Sequence, residues 1–220
     1  MIVLIGGEKG GTGKTTLATS LAAQRAQEGH DVLLLDTDLQ GSASKWIKVR
    51  DHLKVEPSIS SVQKTGEIDV EVRRLAKKYQ DIIIDIVGKD SNEFRTGLMV
   101  AHKAIIPITP GNFNVWTISQ VDKIIENIKN SINRGLEANI ILNQASTHAS
   151  INDYQELKEY LEQSSSVRNL KLLPFSIGYR RAFIKAPADG LGVSELDSAE
   201  KKAVSEITKL YKEVFDDNKE

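Results

Sequence analysis

The sequence predicts a doubly wound α/β fold, a mostly parallel sheet with helices on both faces. Short continuous apolar runs, such as Ile2-Val3-Leu4-Ile5, Val32-Leu33-Leu34-Leu35 and Ile82-Ile83-Ile84, read as strands buried on both faces. These runs alternate with stretches of helical period, the signature of a parallel sheet with crossover helices. Between the first run and the first helical stretch lies Glu8-Lys9-Gly10-Gly11-Thr12-Gly13-Lys14-Thr15-Thr16. Strand, glycine-rich loop and helix in that order form the context of a phosphate-binding loop.

Taken in order, the first strand covers residues 2–5. A helix from Lys14 to about Glu28 carries Leu17, Ala18, Leu21, Ala22 and Ala26 on one face, and Gly29 suits its C-terminal cap. The second strand ends at Asp36. Residues 54–64 read as a loop around a short edge strand, because Pro57 and its serines interrupt the pattern. Val72, Leu75 and Ala76 space a helix over 69–79, and the Ile82–Ile84 run ends at Asp85. A short helix follows over 93–101. Ala104-Ile105-Ile106-Pro107 is a strand closed by the turn signals Pro107, Pro110 and Gly111. A long amphipathic helix covers 115–132. Asn139-Ile140-Ile141-Leu142 is a strand ending at Asn143, followed by a helix over 151–162 and a short strand over 170–173. A C-terminal helix over 198–215 carries Ala203, Ile207, Leu210 and Val214 on one stripe, which is expected to pack on the sheet, and the acidic tail beyond it should fray. No repeat or linker divides residues 1–220, so one domain is expected. Right-handed crossovers place Lys14, Asp36, Asp85, Pro107 and Asn143 along one sheet edge, where a ligand crevice is expected.

Composition excludes several classes. Lys and Arg number 29 against 30 Asp and Glu, for a net charge of −1, so the chain is not a wholly basic nucleic-acid binder. With no cysteine there are neither disulfides nor thiolate metal sites, and His30, His52, His102 and His148 make no ligand spacing. Neither a signal peptide nor a run of membrane-spanning length is legible, so a cytoplasmic location is expected.

The loop carries the chemistry. Its glycines let backbone N–H groups of Gly10, Gly11, Thr12 and Gly13 surround phosphate oxygens, and the following helix, through Thr16, presents its positive end to the same anion. Lys14 faces the β- and γ-phosphates, and the Thr15 hydroxyl suits Mg2+. Glu8 stands where the usual motif has its first glycine, and Lys9 adds a second lysine. Lys-Gly-Gly-Thr-Gly-Lys-Thr-Thr resembles the deviant Walker A loop of the ParA/MinD family of dimeric P-loop ATPases. That resemblance implies that Lys9 crosses to the partner's nucleotide as a catalytic group.

Three further acidic positions, at two strand ends, suit a metal–phosphate site. Asp36-Thr37-Asp38-Leu39-Gln40-Gly41 sets two carboxylates at a strand end, and it resembles the family's Asp-x-Asp-x-Gln switch, with Leu39 where relatives often have proline. Asp36 is expected near Mg2+, and Asp38 is expected to position the attacking water. Asp85 holds the Walker B position, where a carboxylate serves Mg2+. It is followed by Gly88-Lys89-Asp90-Ser91 in place of the family's frequent prolines, a form resembling a plasmid-encoded branch. The Asn143 amide suits an adenine edge, and the corresponding family asparagine contacts the base. Phe113 and Trp116 read as core at a helix start or as a partner surface, and Arg180 and Arg181 as interface or basic surface.

The resemblance implies ATP and Mg2+ as cofactors, a homodimer on ATP binding, non-specific DNA held by the dimer, a ParB-like centromere-binding adaptor, no membrane partner, and a nucleoid-associated location. Small plasmid-partition members, the ParF-like branch, are the expected nearest group, with plasmid or chromosome segregation as the activity. Candidate DNA contacts are Lys158, Arg168, Lys171, Lys201, Lys202, Lys209 and Lys212, although most alternate with glutamates as solvated helix faces do. An N-terminal operator-reading helix-turn-helix is not expected. The alternatives are a positioning ATPase for another cargo, such as a protein cluster or microcompartment, and a small-molecule ligase or kinase on the same scaffold, a class that generally lacks Lys9.

Overall fold

The computed structural model describes residues 1–7, 10–88, 90–111, 115–148, 150–197 and 200–216, and of Val115 and Trp116 only the backbone. Lys9, Lys89, Phe113, the Trp116 side chain and the tail over 217–220 therefore lie outside the described residues.

Seven parallel strands form one sheet in the order β3-β2-β4-β1-β5-β6-β7. They are β1 Ile2–Ile5, β2 Val32–Asp36, β3 Ser60–Gln63, β4 Asp81–Asp85, β5 Lys103–Ile108, β6 Glu137–Ala145 and β7 Lys171–Gly178. Helices α1 Lys14–Gln27, α2 Ser42–His52, α7 Ala182–Ala188 and α8 Lys201–Phe215 cover one face; α3 Asp69–Leu75, α4 Asn92–Leu98, α5 Val115–Ser131 and α6 Asp153–Gln163 cover the other. Strand alternation divides the core accordingly. Leu4, Leu35, Ile84 and Ile106 face α3–α6, while Val3, Ile5, Leu34 and Ile83 face α1 and α8. The doubly wound prediction is met, and Ala203, Ile207, Leu210 and Val214 pack on the sheet as expected.

The differences from expectation have local causes. Strand β5 continues through Pro107 to Ile108 instead of closing there. Ile105 turns its carbonyl toward β1, accepting from Gly6 N, so Pro107, two residues on, points its nitrogen to the same side, past the last β1–β5 pair. No ladder donor is required at that point. Strand β7 likewise runs through Pro174 as a bulged edge strand paired to β6 alone.

Helices α2 and α7 were not expected. In α2, Ala43, Trp46 and Ile47 are buried, but Arg50 occupies the next place on the stripe and breaks the apolar pattern. Arg50 is fully buried and donates to Pro57 O, Gly190 O and both carboxylate oxygens of Glu195, at 2.7 and 2.8 Å. Gly190, at φ 66°, lets its own backbone approach that of Arg50 where a Cβ would lie 2.6 Å from the Arg50 nitrogen. This clamp fixes α2, and α2 in turn supplies a brace to the site described next.

Candidate functional site

The C-terminal ends of β1, β2, β4 and β6 enclose a cleft of about 400 Å3. Its wall from the glycine loop is Gly10, Gly11, Gly13, Lys14, Thr15 and Thr16; opposite lie Asp38 and Ser42, then Asp85 to Gly88, with Gln144 at one side. The structure thus brings Lys14, Thr15, Asp38 and Asp85 together as the sequence predicted.

The loop is held in shape from β6. Asn143 Nδ2 donates to Thr12 O at 2.8 Å, and Gln144 Nε2 donates to Gly11 O at 2.9 Å. Gly13 sits at φ 86°, and a Cβ there would collide with Asn143 Nδ2. Gly13 O accepts from Leu17 N at 3.0 Å, so the first turn of α1 begins at the cleft and presents its positive N-terminal end there. Asn143 was expected to meet a base; it is buried behind the loop, and it also lines a second cavity of about 100 Å3 with Gly178, Tyr179 and Phe183. Gln144 was missed. Its positive φ of 58° is legible only in the folded chain, where β6 runs past Asn143.

Charge is concentrated opposite the loop. Thr15 Oγ1 donates to Asp85 Oδ2 at 2.7 Å. Burial pushes the Asp85 carboxyl up to about 7, with the neighbouring negative charges of Asp36 and Asp38 adding to the shift and the Thr15 hydrogen bond and Lys14 opposing it. Burial also lowers the Lys14 ammonium, while Asp85 and Asp38 hold it up. Thr37, between the two aspartates, ties the β2 and β4 ends together: its Oγ1 donates to Asp85 O at 2.9 Å and accepts from Val87 N at 2.9 Å.

Asp36, expected near Mg2+, sits behind the cleft wall. It is fully buried and does not line the cleft. Its Oδ1 accepts from Asp38 N at 3.0 Å, and its Oδ2 accepts from Ser44 N at 2.8 Å and Ser44 Oγ at 2.9 Å. The carboxylate therefore caps the first turn of α2, where the N-cap residue Gly41 has no side chain to do so. It sets the Asp38 backbone at the same time. Asp38 itself is half-buried; its Oδ1 accepts from Gln40 N, and Gln63 Nε2 donates to its carbonyl at 2.7 Å.

Arg180 does not offer a free basic surface, since Glu206 accepts from its Nε and Nη2 at 2.9 and 2.6 Å, whereas Arg181 is exposed. Among the described residues no helix is long and apolar enough to cross a membrane.

The donor set fits a nucleotide with a hard cation. Loop N–H groups and Lys14 suit phosphate oxygens, while one hydroxyl and one carboxylate, Thr15 and Asp85, match the sparse protein ligation of Mg2+, which keeps waters and phosphate oxygens. Among the described residues no cluster of three or more His, Cys, Asp or Glu competes as a cation cage.

Comparison with known proteins agrees with this geometry. The maintenance of carboxysome distribution protein A of Halothiobacillus neapolitanus is 25% identical over 209 residues, covering 94% of this chain and 93% of that protein. An ATP complex of McdA from Cyanothece superposes with a TM-score of 0.75 at 15% identity, over 96% of this chain and 95% of that one. MinD of Pyrococcus horikoshii with Mg-ADP superposes with a TM-score of 0.72 at 18% identity, over 97% and 95%. At these identities the two structures show likeness of fold alone. Residues 3–193 match the family described as the CobQ/CobB/MinD/ParA nucleotide binding domain. The chain belongs to that family, with the two-lysine phosphate loop of its ParA/MinD members.

Proposed function

We propose that this chain is a Mg2+-dependent ATPase that positions a cargo, acting as an ATP-bound homodimer, with residues 1–220 working as one nucleotide-binding unit. The observation that carries the choice of cargo positioning is the nearly full-length likeness to a carboxysome-distribution protein. Plasmid or chromosome partition, the narrower expectation from the sequence, is the second reading, supported by the ParA membership of the same family. A small-molecule ligase of the CobQ/CobB kind is disfavoured by Lys9.

ATP with Mg2+ supplies the phosphoanhydride bond that drives the cycle. The loop N–H groups of residues 10–13 and Lys14 hold phosphate oxygens, and the first turn of α1, through Thr16, adds its positive end. Thr15 and Asp85 are the residues that would hold the cation, which would supply charge neutralisation at the phosphates. Asp38 orients the attacking water, and Asp36 positions Asp38 through its backbone. Asn143 braces the loop and, from the smaller cavity, faces the base. Lys9 neutralises charge in the partner protomer's site. Non-specific DNA acts as the track, and a ParB-like adaptor or its cargo counterpart stimulates turnover.

Purified protein tests this directly. ATP hydrolysis without any small-molecule co-substrate, ATP-dependent dimerisation by light scattering, and salt-sensitive retention on random duplex DNA are expected. Hydrolysis that requires a carboxylic or amine substrate would replace this reading with the ligase class. ATP-dependent dimers that ignore DNA would remove the DNA track.

A further inference from the structure

Residues 86–88, just beyond β4, line the nucleotide cleft, and Asp90 lies at the mouth of a separate cavity of about 280 Å3 between α4 and α5. The floor of that cavity is Phe94, Val121 and Ile124. Its rim is exposed Arg95 from α4 and exposed Gln120, Lys123 and Asn127 from one face of α5. Asp90 is seated on Arg95 in fork geometry: Arg95 Nε donates to Oδ1 at 2.7 Å and Nη2 donates to Oδ2 at 2.6 Å. Both side chains are about half exposed, at 46% and 47%, so the pair is screened by water and readily exchanged.

Asp90 shows what this rim accepts. It is the only acid among the described residues lining the cavity; without it the rim presents two cations and two amides above an apolar floor. From this geometry we infer that the α4–α5 groove docks an acidic segment of a partner protein. A partner carboxylate takes the place of Asp90 on Arg95, and a neighbouring apolar side chain enters over Phe94, Val121 and Ile124. Ser91 caps α4 through its hydroxyl, accepting from Phe94 N at 3.2 Å, so the helix stays in place while Asp90 is released. Asp90 lies two positions beyond Gly88, which lines the cleft, so its release from Arg95 bears on that wall. Docking and nucleotide occupancy are thereby coupled, and by linkage each alters the other's affinity. The coupling rests on the nucleotide reading of the cleft; the docking does not.

A short fluorescein-labelled peptide of alternating glutamate and leucine probes the groove by anisotropy, with a lysine-for-glutamate peptide as control. The full chain is expected to bind the acidic peptide at low salt and not the basic one. Asp90→Asn removes the internal competitor and should tighten binding about two- to five-fold. Arg95→Gln should weaken it about tenfold, through loss of a charge-assisted fork. Both sites are exposed, and unchanged urea unfolding is expected for each variant. Absence of acidic-peptide binding by Asp90→Asn protein, equal affinities in all three proteins, or equal binding of the basic peptide would overturn the docking site. Peptide held near its wild-type Kd should shift ATP affinity in the wild type and do so several-fold less in Arg95→Gln, whose groove is then mostly empty; no shift in the wild type at saturating peptide overturns the coupling. Peptide binding by a protein that takes up no ATP would instead count against the nucleotide reading.

Discussion

Replacing Asp36 by asparagine separates two roles for a carboxylate that has no solvent exposure. In the folded protein Oδ1 receives the Asp38 N–H, and Oδ2 receives the N–H and the hydroxyl of Ser44. Asparagine keeps one oxygen. Turned toward Ser44, it preserves those contacts in weaker, uncharged form and sets its own NH2 against the Asp38 N–H. The lost charge-assisted bond is worth about 1.5–3 kcal/mol, and the unsatisfied buried donor costs about 1–3 kcal/mol. Removing a charge close to Asp85 returns part of this, leaving a net loss of about 3 kcal/mol. With a urea slope on the order of 2 kcal/mol/M, the unfolding midpoint should fall by about 1.5 M. The assay is urea unfolding of the nucleotide-free protein in EDTA. A metal-ligand role predicts no loss under those conditions, since removing a buried like charge relieves Asp85 and the cost arises only with Mg2+. A midpoint within about 0.3 M of wild type would therefore refute the bracing role. Because the donor conflict falls on Asp38, hydrolysis should also drop further than ATP affinity does.

Gly13→Ala places a side chain at φ 86° and into Asn143 Nδ2; the left-handed backbone alone costs about 1–2 kcal/mol, and ATP binding by calorimetry should be lost while far-UV circular dichroism is kept. Wild-type affinity in that variant would contradict the loop geometry. Native Asp85 holds its proton between its ordinary 3.8 and about 7, where the unfolded chain has released it. The native state then binds more protons, so the Asp85 contribution to stability falls as pH rises through that window and is constant above it. The stability of wild type relative to Asp85→Asn, without nucleotide or metal, should fall correspondingly, and a difference flat with pH would reject the shift. Glu195→Ala strands the fully buried Arg50 and should cost about 3–5 kcal/mol in urea unfolding; a loss under about 1 kcal/mol would mean that water replaces the carboxylate. Lys9→Ala and Asp38→Ala should each be inactive in ATP hydrolysis, yet mixing them should restore part of the activity, because the Lys9→Ala protomer keeps Asp38 and receives Lys9 from its partner. No recovery in demonstrated mixed dimers would confine Lys9 to its own site.

The site is built in tiers. The clamp of Arg50 on Glu195 holds α2, α2 presents Ser44, Ser44 fixes Asp36, and Asp36 sets the backbone of Asp38. A stability defect at Arg50 should therefore reach the cleft through α2 without any direct contact to it. A parallel tie runs through Thr37 to the β4 end, so the segments after β2 and β4 are linked.

The sequence by itself determined the parallel sheet, most of its strands and the phosphate loop. These are local properties: a strand buried on both faces must be a continuous apolar run, and a loop that turns N–H groups inward needs glycines at close spacing. It also placed Lys14, Asp36, Asp85, Pro107 and Asn143 along one sheet edge, because parallel crossovers leave little choice of edge. Tertiary structure alone decided which neighbour each polar group meets. Asp36 reads as a strand-end acid in any chain, and only the position of α2 turns its carboxylate toward Ser44. Helix α2 was hidden because Arg50 breaks its stripe, and the residue that makes a buried cation tolerable there, Glu195, lies 145 positions away. Pro107 looks like a stop signal until the end of β1 leaves its nitrogen without a ladder to join. Periodicity specifies which faces are buried; the partner of a buried charge is set by strand order and by contacts between distant segments, and those exist only once the chain has folded.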